Sequence, residues 1–226
     1  MRARRCDFHT HTVFSDGLLL PMELIRRAAV ADHRAIAITD HASFSNIDWV
    51  VRDVAKDCAR AEAWDIDAIP GVEITHVPVK YIDEAVKLAR DSGAEIVVVH
   101  GETPVEPVEQ GTNHAAVSNP DVDILAHPGI ISEEDARKAA ANGVFLELSC
   151  RRGHSTANGH VASVARVAGA QILVNTDAHA PEDLSSMATA TSIAKGAGLD
   201  ADSIRQALVT NPESLLRKLG RLRDAD

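Results

Sequence analysis

The chain has 226 residues, of which 45% are hydrophobic and 25% are charged. This composition is ordinary for a folded globular protein and excludes a globally disordered chain. The formal net charge of −10 and the 3% share of aromatic residues argue against a protein that binds long nucleic acids along their backbone or by base stacking. The length predicts a single domain over residues 1–226. Eleven histidines are the one unusual figure.

Cysteine spacing and hydropathy bear on the location of the protein. Cys6, Cys58 and Cys150 are odd in number and form no Cys-x-x-Cys pair, so neither a disulfide framework nor a thiolate zinc site is indicated. No apolar run reaches about 18 residues, so we expect no membrane helix. We therefore expect a cytoplasmic protein.

Short apolar runs rich in β-branched residues recur about every 28 residues, close to the length of one βα unit. They predict seven strands, at residues 5–8, 35–39, 67–74, 95–99, 122–126, 144–148 and 171–176. Continuous apolar runs such as 95–99 are typical of strands that are buried on both faces, as in parallel sheets.

Apolar residues at helical spacing fill the intervals between these strands. They predict helices at residues 21–31, 47–64, 81–91, 133–141 and 160–168. Gly93, Gly143 and Gly169 follow three of the helices and are suited to end them in the left-handed conformation. Residues 101–119 are predicted as a loop. From about residue 181 we expect a helical tail of two or three helices without a strand.

Alternating strands and helices predict an α/β protein, either an open doubly wound sheet or a closed barrel of seven or eight strands. Each predicted strand has ionisable residues at its C-terminal end, and these are His9 and His11, Asp40 and His41, Glu73, His100, His127, Glu147 with Arg151 and Arg152, and Asp177 and His179. The rim of a (β/α) barrel brings all strand ends together, whereas an open sheet brings together only those near one switch point. The pattern therefore favours the barrel.

The histidines and carboxylates at these ends have the chemistry of metal ligands. His9 and His11 are two positions apart, so in an extended chain both imidazoles leave the same face, and Asp177 and His179 repeat this spacing. Imidazoles together with carboxylates suit Zn²⁺, Mn²⁺ or Fe²⁺. One His-x-His pair alone is a weak signal, but similar residues at the other strand ends make a metal site the better explanation.

A set of motifs covering nearly the whole chain resembles the PHP (polymerase and histidinol phosphatase) superfamily. The motifs are His9-Thr10-His11, Ser15-Asp16-Gly17, Thr39-Asp40-His41, Gly71-Val72-Glu73, His100, Ala126-His127-Pro128 and Asp177-Ala178-His179. The resemblance implies a distorted (β/α)7 barrel, similar to a TIM barrel, with two or three divalent ions of zinc, manganese or iron. It implies three groups of ligands: His9, His11, Glu73 and Asp177; Glu73 again with His100 and His127; and Asp16, His41 and His179. Some superfamily members have histidine where this chain has Asp16. The carboxylate oxygen of Asp16 is a harder ligand than an imidazole nitrogen, which changes the metal preference of the third group.

The resemblance also implies a metal-dependent phosphoesterase that hydrolyses a small phosphomonoester, with histidinol phosphate as one candidate. Metal ions that share Glu73 would lower the pKa of a bound water, and we assign Glu73 and Asp177 to catalysis. Arg151 or Arg152 is expected to bind the phosphate, because a guanidinium group matches its geometry. His154 follows closely and is a candidate to protonate the leaving oxygen.

Other polar residues near the rim are open to two interpretations. Asn175 and Glu147 either orient ligands or are buried barrel residues, and Asn175 is also a candidate for substrate binding. Asp40 is expected to orient a ligand rather than to be one. Acids of the 101–119 segment form either a lid that meets a cationic group of the substrate or an acidic surface loop; they are Glu102, Glu106 and Glu109. Four histidines are predicted not to be ligands, with His76 closest to an exception; they are His33, His76, His114 and His160.

Three other functions remain open at this point. The same superfamily includes polymerase-associated exonucleases, so a nucleotide phosphodiesterase or 3′–5′ exonuclease activity is the first. A scaffold or RNA-protein subunit without catalysis is the second, although such degenerate members lose their ligands and this chain keeps all nine. A hydrolase of non-phosphate bonds, such as an amidohydrolase, is the third. We expect a small anionic phosphorylated substrate and neither a membrane nor a long nucleic acid as partner; the sequence does not indicate an oligomeric state.

Overall fold

Short parallel strands form the centre of the protein in the computed structural model, which describes residues 3–222. The predicted domain also includes residues 1–2 and 223–226, which lie outside the described residues. The strands are β1 (Arg5–Asp7), β2 (His33–Ile38), β3 (His41–Ala42), β4 (Asp67–Ile74), β5 (Ile96–His100), β6 (Ile124–Ala126), β7 (Phe145–Ser149) and β8 (Ile172–Asn175). All seven predicted strand regions are present, with ends shifted by a few residues.

The strands form a nearly closed barrel. Neighbours pair in parallel in the order β1-β2-β4-β5-β6-β7-β8, and β3 continues the line of β2 beside β4, so the two together are one interrupted strand. The first and last strand regions meet at a bridge between Thr10 and Ala178. Here the His11 N–H donates to the Ala178 carbonyl at 2.8 Å, and the Asp177 N–H donates to the His9 carbonyl at 2.9 Å. The open sheet is therefore wrong, and the distorted seven-stranded barrel is confirmed.

Helices cover the outside of the barrel. They are α1 (Pro21–Val30), α2 (Ile47–Cys58), α3 (Ile82–Asp91), α4 (Thr112–Ser118), α5 (Glu133–Asn142), α6 (Asn158–Ala168), α7 (Met187–Gly196), α8 (Ala201–Arg205) and α9 (Asn211–Lys218). The predicted glycine stops are confirmed, because Gly93, Gly143 and Gly169 have φ of 99°, 69° and 73°. Between residues 3 and 222, no helix combines the length and the apolar character that a membrane crossing requires.

The predicted helix at 47–64 is wrong in extent. Helix α2 ends at Cys58, and Ala61–Trp64 forms a separate 3₁₀ turn. The apolar spacing continues beyond the end of α2 because Ala61 is fully buried in the same hydrophobic cluster as the helix. Periodicity reports which face is buried, and a helix followed by a turn can bury the same face.

The predicted loop at 101–119 contains the short helix α4. Its first turn is capped from a distance by Glu102, whose Oε1 accepts the N–H groups of Gly111 at 3.0 Å and Asn113 at 2.9 Å. A cap of this kind depends on the path of the preceding chain, so the local pattern around residue 112 does not reveal it.

Helix α9 closes the N-terminal end of the barrel. Its Leu215 and Leu216 belong to one buried apolar cluster with inward-facing strand residues such as Phe8, Ile96 and Phe145. A second and larger cluster lies between the strands and the surrounding helices. Because apolar side chains fill the barrel and its lower end, its polar strand ends meet solvent at the opposite, C-terminal rim.

Candidate metal centre

Polar side chains from all around the barrel converge at the C-terminal rim. Within the described residues, five groups of three or four side chains each place one ligand atom per residue within 4.8 Å of one another. The groups are His9, His11 and Glu73; His9, His127 and Asp177; Glu73, His100 and His127; His11, Asp16, His41 and His179; and His76, His100 and Glu106. All nine side chains predicted as ligands belong to these groups, and their role as ligands stays a prediction.

Glu73 lies in the middle of this cluster, near the end of β4, and is fully buried. Its Oε1 lies 3.3 Å from His9 Nε2 and 3.5 Å from His127 Nε2. Its Oε2 lies 2.7 Å from His41 Nδ1 and 3.7 Å from His11 Nε2. One carboxylate therefore faces imidazoles on both sides, which is the arrangement needed for a ligand shared by two cations.

Two of the converging side chains depend on an unusual backbone conformation. His127, which follows β6, and Asp177, which follows β8, have φ of 27° and 53°. A positive φ at a residue with a side chain costs roughly 1–3 kcal/mol and tends to occur at functional sites. The conformation brings the Asp177 carboxylate to His11, with 3.2 Å between Oδ1 and Nε2.

Asp16, His41 and His179 form the outer part of the cluster. Asp16 Oδ1 lies 3.0 Å from His179 Nε2 and 3.5 Å from His41 Nε2. The loop that carries Asp16 folds back so closely that a Cβ on Gly17 would lie 2.5 Å from the His11 carbonyl oxygen. Since the Asp16 side chain is 56% exposed, this part of the cluster is open to solvent.

Asp40 stabilises the Asp16 loop and does not face the cluster. Its Oδ1 accepts hydrogen bonds from the Thr12 N–H and the Ser15 hydroxyl, both at 2.7 Å. Its Oδ2 accepts from the Thr12 hydroxyl at 2.7 Å. This geometry agrees with the prediction that Asp40 orients a ligand, because Ser15 directly precedes Asp16.

Several buried polar atoms of the cluster have no hydrogen-bond partner. The chemistry of these atoms indicates whether the site suits metal ions. Among the described residues these atoms include His9 Nε2, both ring nitrogens of His11, His100 Nδ1, His127 Nδ1 and Glu73 Oε1. A buried polar atom without a partner costs about 1–3 kcal/mol, so such a set is unfavourable unless a further group satisfies it. Imidazole nitrogens and carboxylate oxygens are donors for Zn²⁺, Mn²⁺ and Fe²⁺, and the residues therefore fit divalent ions.

The surrounding histidines determine the charge of Glu73. Burial alone would raise the pKa of this carboxyl, but His9, His100 and His41 together hold its pKa well below its usual range. At Asp177 the balance is opposite, because burial raises the pKa of that carboxyl. Glu73 is therefore an anion at neutral pH, the form that binds a cation.

Glu147 and Asn175 support the cluster from inside the barrel. Glu147 Oε1 lies 2.8 Å from His9 Nδ1 and accepts the Asn175 amide at 2.9 Å, while Oε2 accepts the His127 N–H at 3.1 Å. Asn175 Oδ1 accepts the Phe8 N–H at 3.1 Å. Both ends of the Asn175 amide are thus bonded within the barrel. This geometry favours the interpretation that Asn175 positions Glu147, and its contact with a substrate stays a prediction.

We expect the Glu147→Gln variant to bind metal ions about 10–100-fold more weakly than the wild-type chain. Burial would raise the pKa of Glu147, but His9 and the hydrogen bonds from His9 and Asn175 lower it to about 2. The resulting carboxylate orients the His9 ring with Nε2 toward Glu73, and an amide of the same size lacks its charge. Competition with a chromophoric chelator measures the affinity, and an unchanged affinity would contradict this role.

Three predicted residues after β7 have different surroundings. Arg151 Nη1 donates to the Asp177 carbonyl at 3.2 Å. His154 is 5% exposed; its ring stacks on that of His127 at 4.1 Å between centroids, and its Nε2 lies 3.7 Å from Asp177 Oδ2. Arg152 is exposed, and within residues 3–222 no hydrogen bond or ion pair joins it to the cluster. The structure therefore brings Arg151 and His154 to the site and leaves Arg152 outside it.

Of the three acids in the 101–119 segment, only Glu106 reaches the cluster. Its Oε2 lies 2.9 Å from His100 Nε2, and its Oε1 lies 3.4 Å from His154 Nε2. Glu102 caps α4, and Glu109 accepts a backbone N–H from the segment after β4 at 3.0 Å. The sequence pointed to an acidic loop without distinguishing its members, because the folded path of the loop decides which carboxylate turns inward.

The histidines predicted not to be ligands fall into two sets. His33 is buried at the start of β2, and His114 and His160 contact partners outside the cluster. His76 lies at the edge of the cluster, with its Nε2 3.8 Å from Glu106 Oε2. Among the described residues, His76 and Glu106 are the members of the five ligand groups that were not predicted as ligands, and they are neighbours.

Comparison with known proteins identifies the family. Residues 7–161 match the PHP domain, and the chain belongs to this family. An uncharacterized protein of Methanocaldococcus jannaschii is 52% identical over 217 residues, which cover 95% of this chain and 100% of that protein. A probable phosphatase of Thermoanaerobacter sp. is 28% identical over 228 residues, which cover 88% of each chain.

Two solved structures share the fold. A chain in the structure of archaeal ribonuclease P with mature tRNA superposes with a TM-score of 0.69 at 16% identity, covering 94% of this chain and 89% of that one. Histidinol phosphate phosphatase from Lactococcus lactis, complexed with zinc, L-histidinol and phosphate, has a TM-score of 0.59 at 16% identity, covering 96% and 94%. Such identities show the fold alone. The family match and the relative named as a phosphatase support a metal-dependent phosphoesterase.

Proposed function

We propose that the protein hydrolyses a small phosphomonoester with the help of bound divalent ions. The observation that carries the proposal is the position of Glu73, a buried carboxylate that belongs to two of the ligand groups. Zinc, manganese or iron ions bound there would lower the pKa of a water and offset the charge of a phosphate. We propose a small anionic phosphorylated compound as the substrate, and histidinol phosphate is the first candidate to test.

Arg151 is the residue that we propose binds the phosphate. Its side chain is 33% exposed, so it borders both the cluster and solvent, and its Nε lies 3.8 Å from Asp177 Oδ2. A guanidinium group can donate two parallel hydrogen bonds to a phosphate. Since its charge is fixed, it adds to the attraction of the metal ions for an anion inside a chain whose net charge is −10.

His154 is proposed to donate the proton to the leaving oxygen. Its Nδ1 lies 2.7 Å from the Thr103 hydroxyl, and its Nε2 is directed to the cluster. Burial and then the neighbouring His127 lower the pKa of His154 to about 4, so its ring is neutral at pH 7 without substrate. A phosphate dianion beside the ring would raise this pKa, because a nearby negative charge favours the protonated form.

Release of inorganic phosphate tests the proposed function. Wild-type protein loaded with Zn²⁺ or Mn²⁺ is incubated with a panel of monoesters that includes histidinol phosphate, sugar phosphates and nucleoside monophosphates. We expect release from at least one class, and none from the same sample after treatment with a chelator. A panel without phosphate release under either metal would refute the monoesterase activity.

A nuclease or nucleotide phosphodiesterase is the second candidate. The exposed Asp16 side chain favours it, because this part of the site is open to solvent. To test it, a labelled single-stranded nucleic acid is incubated with the protein and Mn²⁺, and nuclease activity would shorten the strand.

A non-catalytic RNA-protein subunit is the third candidate. The nine candidate ligands, which are all retained in one cluster, argue against it. Metal analysis addresses that alternative, because fewer than two ions per chain after purification without chelators would revive it.

We expect the Arg151→Ala variant to raise the KM for a phosphomonoester by about tenfold to a hundredfold, since a charge-assisted hydrogen bond is worth roughly 1.5–3 kcal/mol. Arg152→Ala is the matched control, because it removes the same group from the adjacent exposed position. Steady-state kinetics measure both variants. Equal effects, or a larger effect at Arg152, would contradict the assignment.

The cytoplasm is the proposed location. The three cysteines are free thiols, two of them buried. Unpaired cysteines are typical of reducing compartments. Fractionation of cells that express the full chain tests this, and recovery in an oxidising compartment would contradict it.

A further inference from the structure

His76 and Glu106 form a ligand group with His100, and neither of the two is among the nine predicted ligands. Glu106 Oε2 lies 2.9 Å from His100 Nε2 and 3.8 Å from His76 Nε2. One ligand atom from each of the three lies within 4.8 Å of the other two. Two imidazoles and a carboxylate are a donor set suited to Zn²⁺, Mn²⁺ or Fe²⁺.

His100 connects this group to the inner cluster. It is 2% exposed, and its Nδ1 is buried without a hydrogen-bond partner among the described residues, while its Nε2 faces Glu106. It also belongs to the group with Glu73 and His127. A neutral imidazole offers one lone pair, so His100 binds one ion at a time. That ion can be approached by the inner residues from one side and by His76 and Glu106 from the other.

The loop tip that carries Glu106 has few other polar attachments. Residues 104–107 are exposed, and Pro104 and Pro107 have no N–H to donate. Among the described residues, the backbone of this tip makes one hydrogen bond, from the Val108 N–H to the Glu106 carbonyl at 2.9 Å, which lies within the loop itself. The contacts of the Glu106 carboxylate with imidazoles are therefore the polar link between the tip and the barrel.

We propose that the ion held by His100 also takes His76 and Glu106 as ligands, so that these three side chains form a cation position at the outer edge of the centre, and that an ion bound there holds the loop tip 104–107 over the barrel. The position would make closure of the loop depend on metal binding. The inference rests on the metal centre of the proposed function and not on its phosphatase activity. It is therefore tested by metal binding and backbone exchange, without a substrate.

Zn²⁺ alone is the probe for this position. The full chain is stripped of metal and dialysed against Zn²⁺; bound zinc is counted, and hydrogen exchange is followed in peptides that cover residues 103–111. We expect Zn²⁺ to slow exchange in these peptides by about tenfold or more in the wild-type chain, as for a segment that opens less often. In Glu106→Gln this slowing should be lost, and one zinc ion should bind about tenfold or more weakly.

Glu109→Gln is the matched control, because it removes the same charge from the same loop at a side chain that does not face the histidines. It should behave as the wild-type chain, whereas His76→Gln should weaken the same ion as Glu106→Gln does. The proposal would be overturned if Glu106→Gln bound zinc as tightly as the wild-type chain and showed the same zinc-dependent protection. If the wild-type chain released no phosphate but still showed zinc-dependent protection of residues 103–111, the result would count against the proposed function and not against this cation position.

Discussion

The Glu73→Gln variant is expected to release phosphate about a thousandfold more slowly than the wild-type chain. Glu73 is fully buried, and its two oxygens face His9 and His127 on one side and His11 and His41 on the other. An amide has nearly the same shape but no charge, so adjacent ions would lose their shared anion. Metal ions supply several kcal/mol of transition-state stabilisation, and each 1.4 kcal/mol or so is a factor of ten in rate.

Glu147→Gln is the matched control for this experiment. It is the same chemical change at another fully buried carboxylate, one that contacts His9 from the side away from Glu73. Its expected loss is about 10–100-fold, because it orients a ligand without being one. Metal content and phosphate release are measured on the same samples. If Glu73→Gln keeps its full metal content and rate, the shared-ligand role of Glu73 is wrong.

The residues at the rim could be predicted because they follow from short-range patterns. In a parallel barrel an apolar run ends where its strand ends, so the next polar residue is at the C-terminal rim. Glu73, His100 and His127 are located in this way by their strands alone, without knowledge of their partners. The spacing of His9 and His11 adds that both imidazoles leave one face of the chain.

The roles that the sequence left open depend on contacts between distant parts of the chain. Glu147 meets His9 across 138 positions, and Asn175 meets Phe8 across 167, so the orienting pair is formed only by barrel closure. The adjacent Arg151 and Arg152 have the same chemistry, and the turn after β7 decides which one faces the cluster. The approach of Glu106 to His100 depends likewise on the folded path of its loop.

Removal of metal ions is expected to lower the melting temperature by roughly 10 °C for each ion lost, relative to protein that holds its ions at about a thousand times their dissociation constant. At this excess, binding to the folded chain alone stabilises it by about 4 kcal/mol per site. For a chain of this size, 1 kcal/mol corresponds to about 2–4 °C. Stripping also leaves His9 Nε2, both nitrogens of His11 and Glu73 Oε1 buried without hydrogen-bond partners. Scanning calorimetry with and without a chelator measures the difference.

The same scan on Glu73→Gln separates binding at the centre from general effects of the chelator. The variant lacks the shared anion, so its melting temperature should respond much less to metal removal. In the wild-type chain the response should shrink as the pH falls, because protons compete with ions for the imidazole nitrogens. A wild-type melting temperature that is the same with excess Zn²⁺ and with chelator would mean that the rim side chains satisfy one another without ions. The proposed phosphoesterase would then lose the charge that attracts its anionic substrate, and Arg151 alone would not replace it.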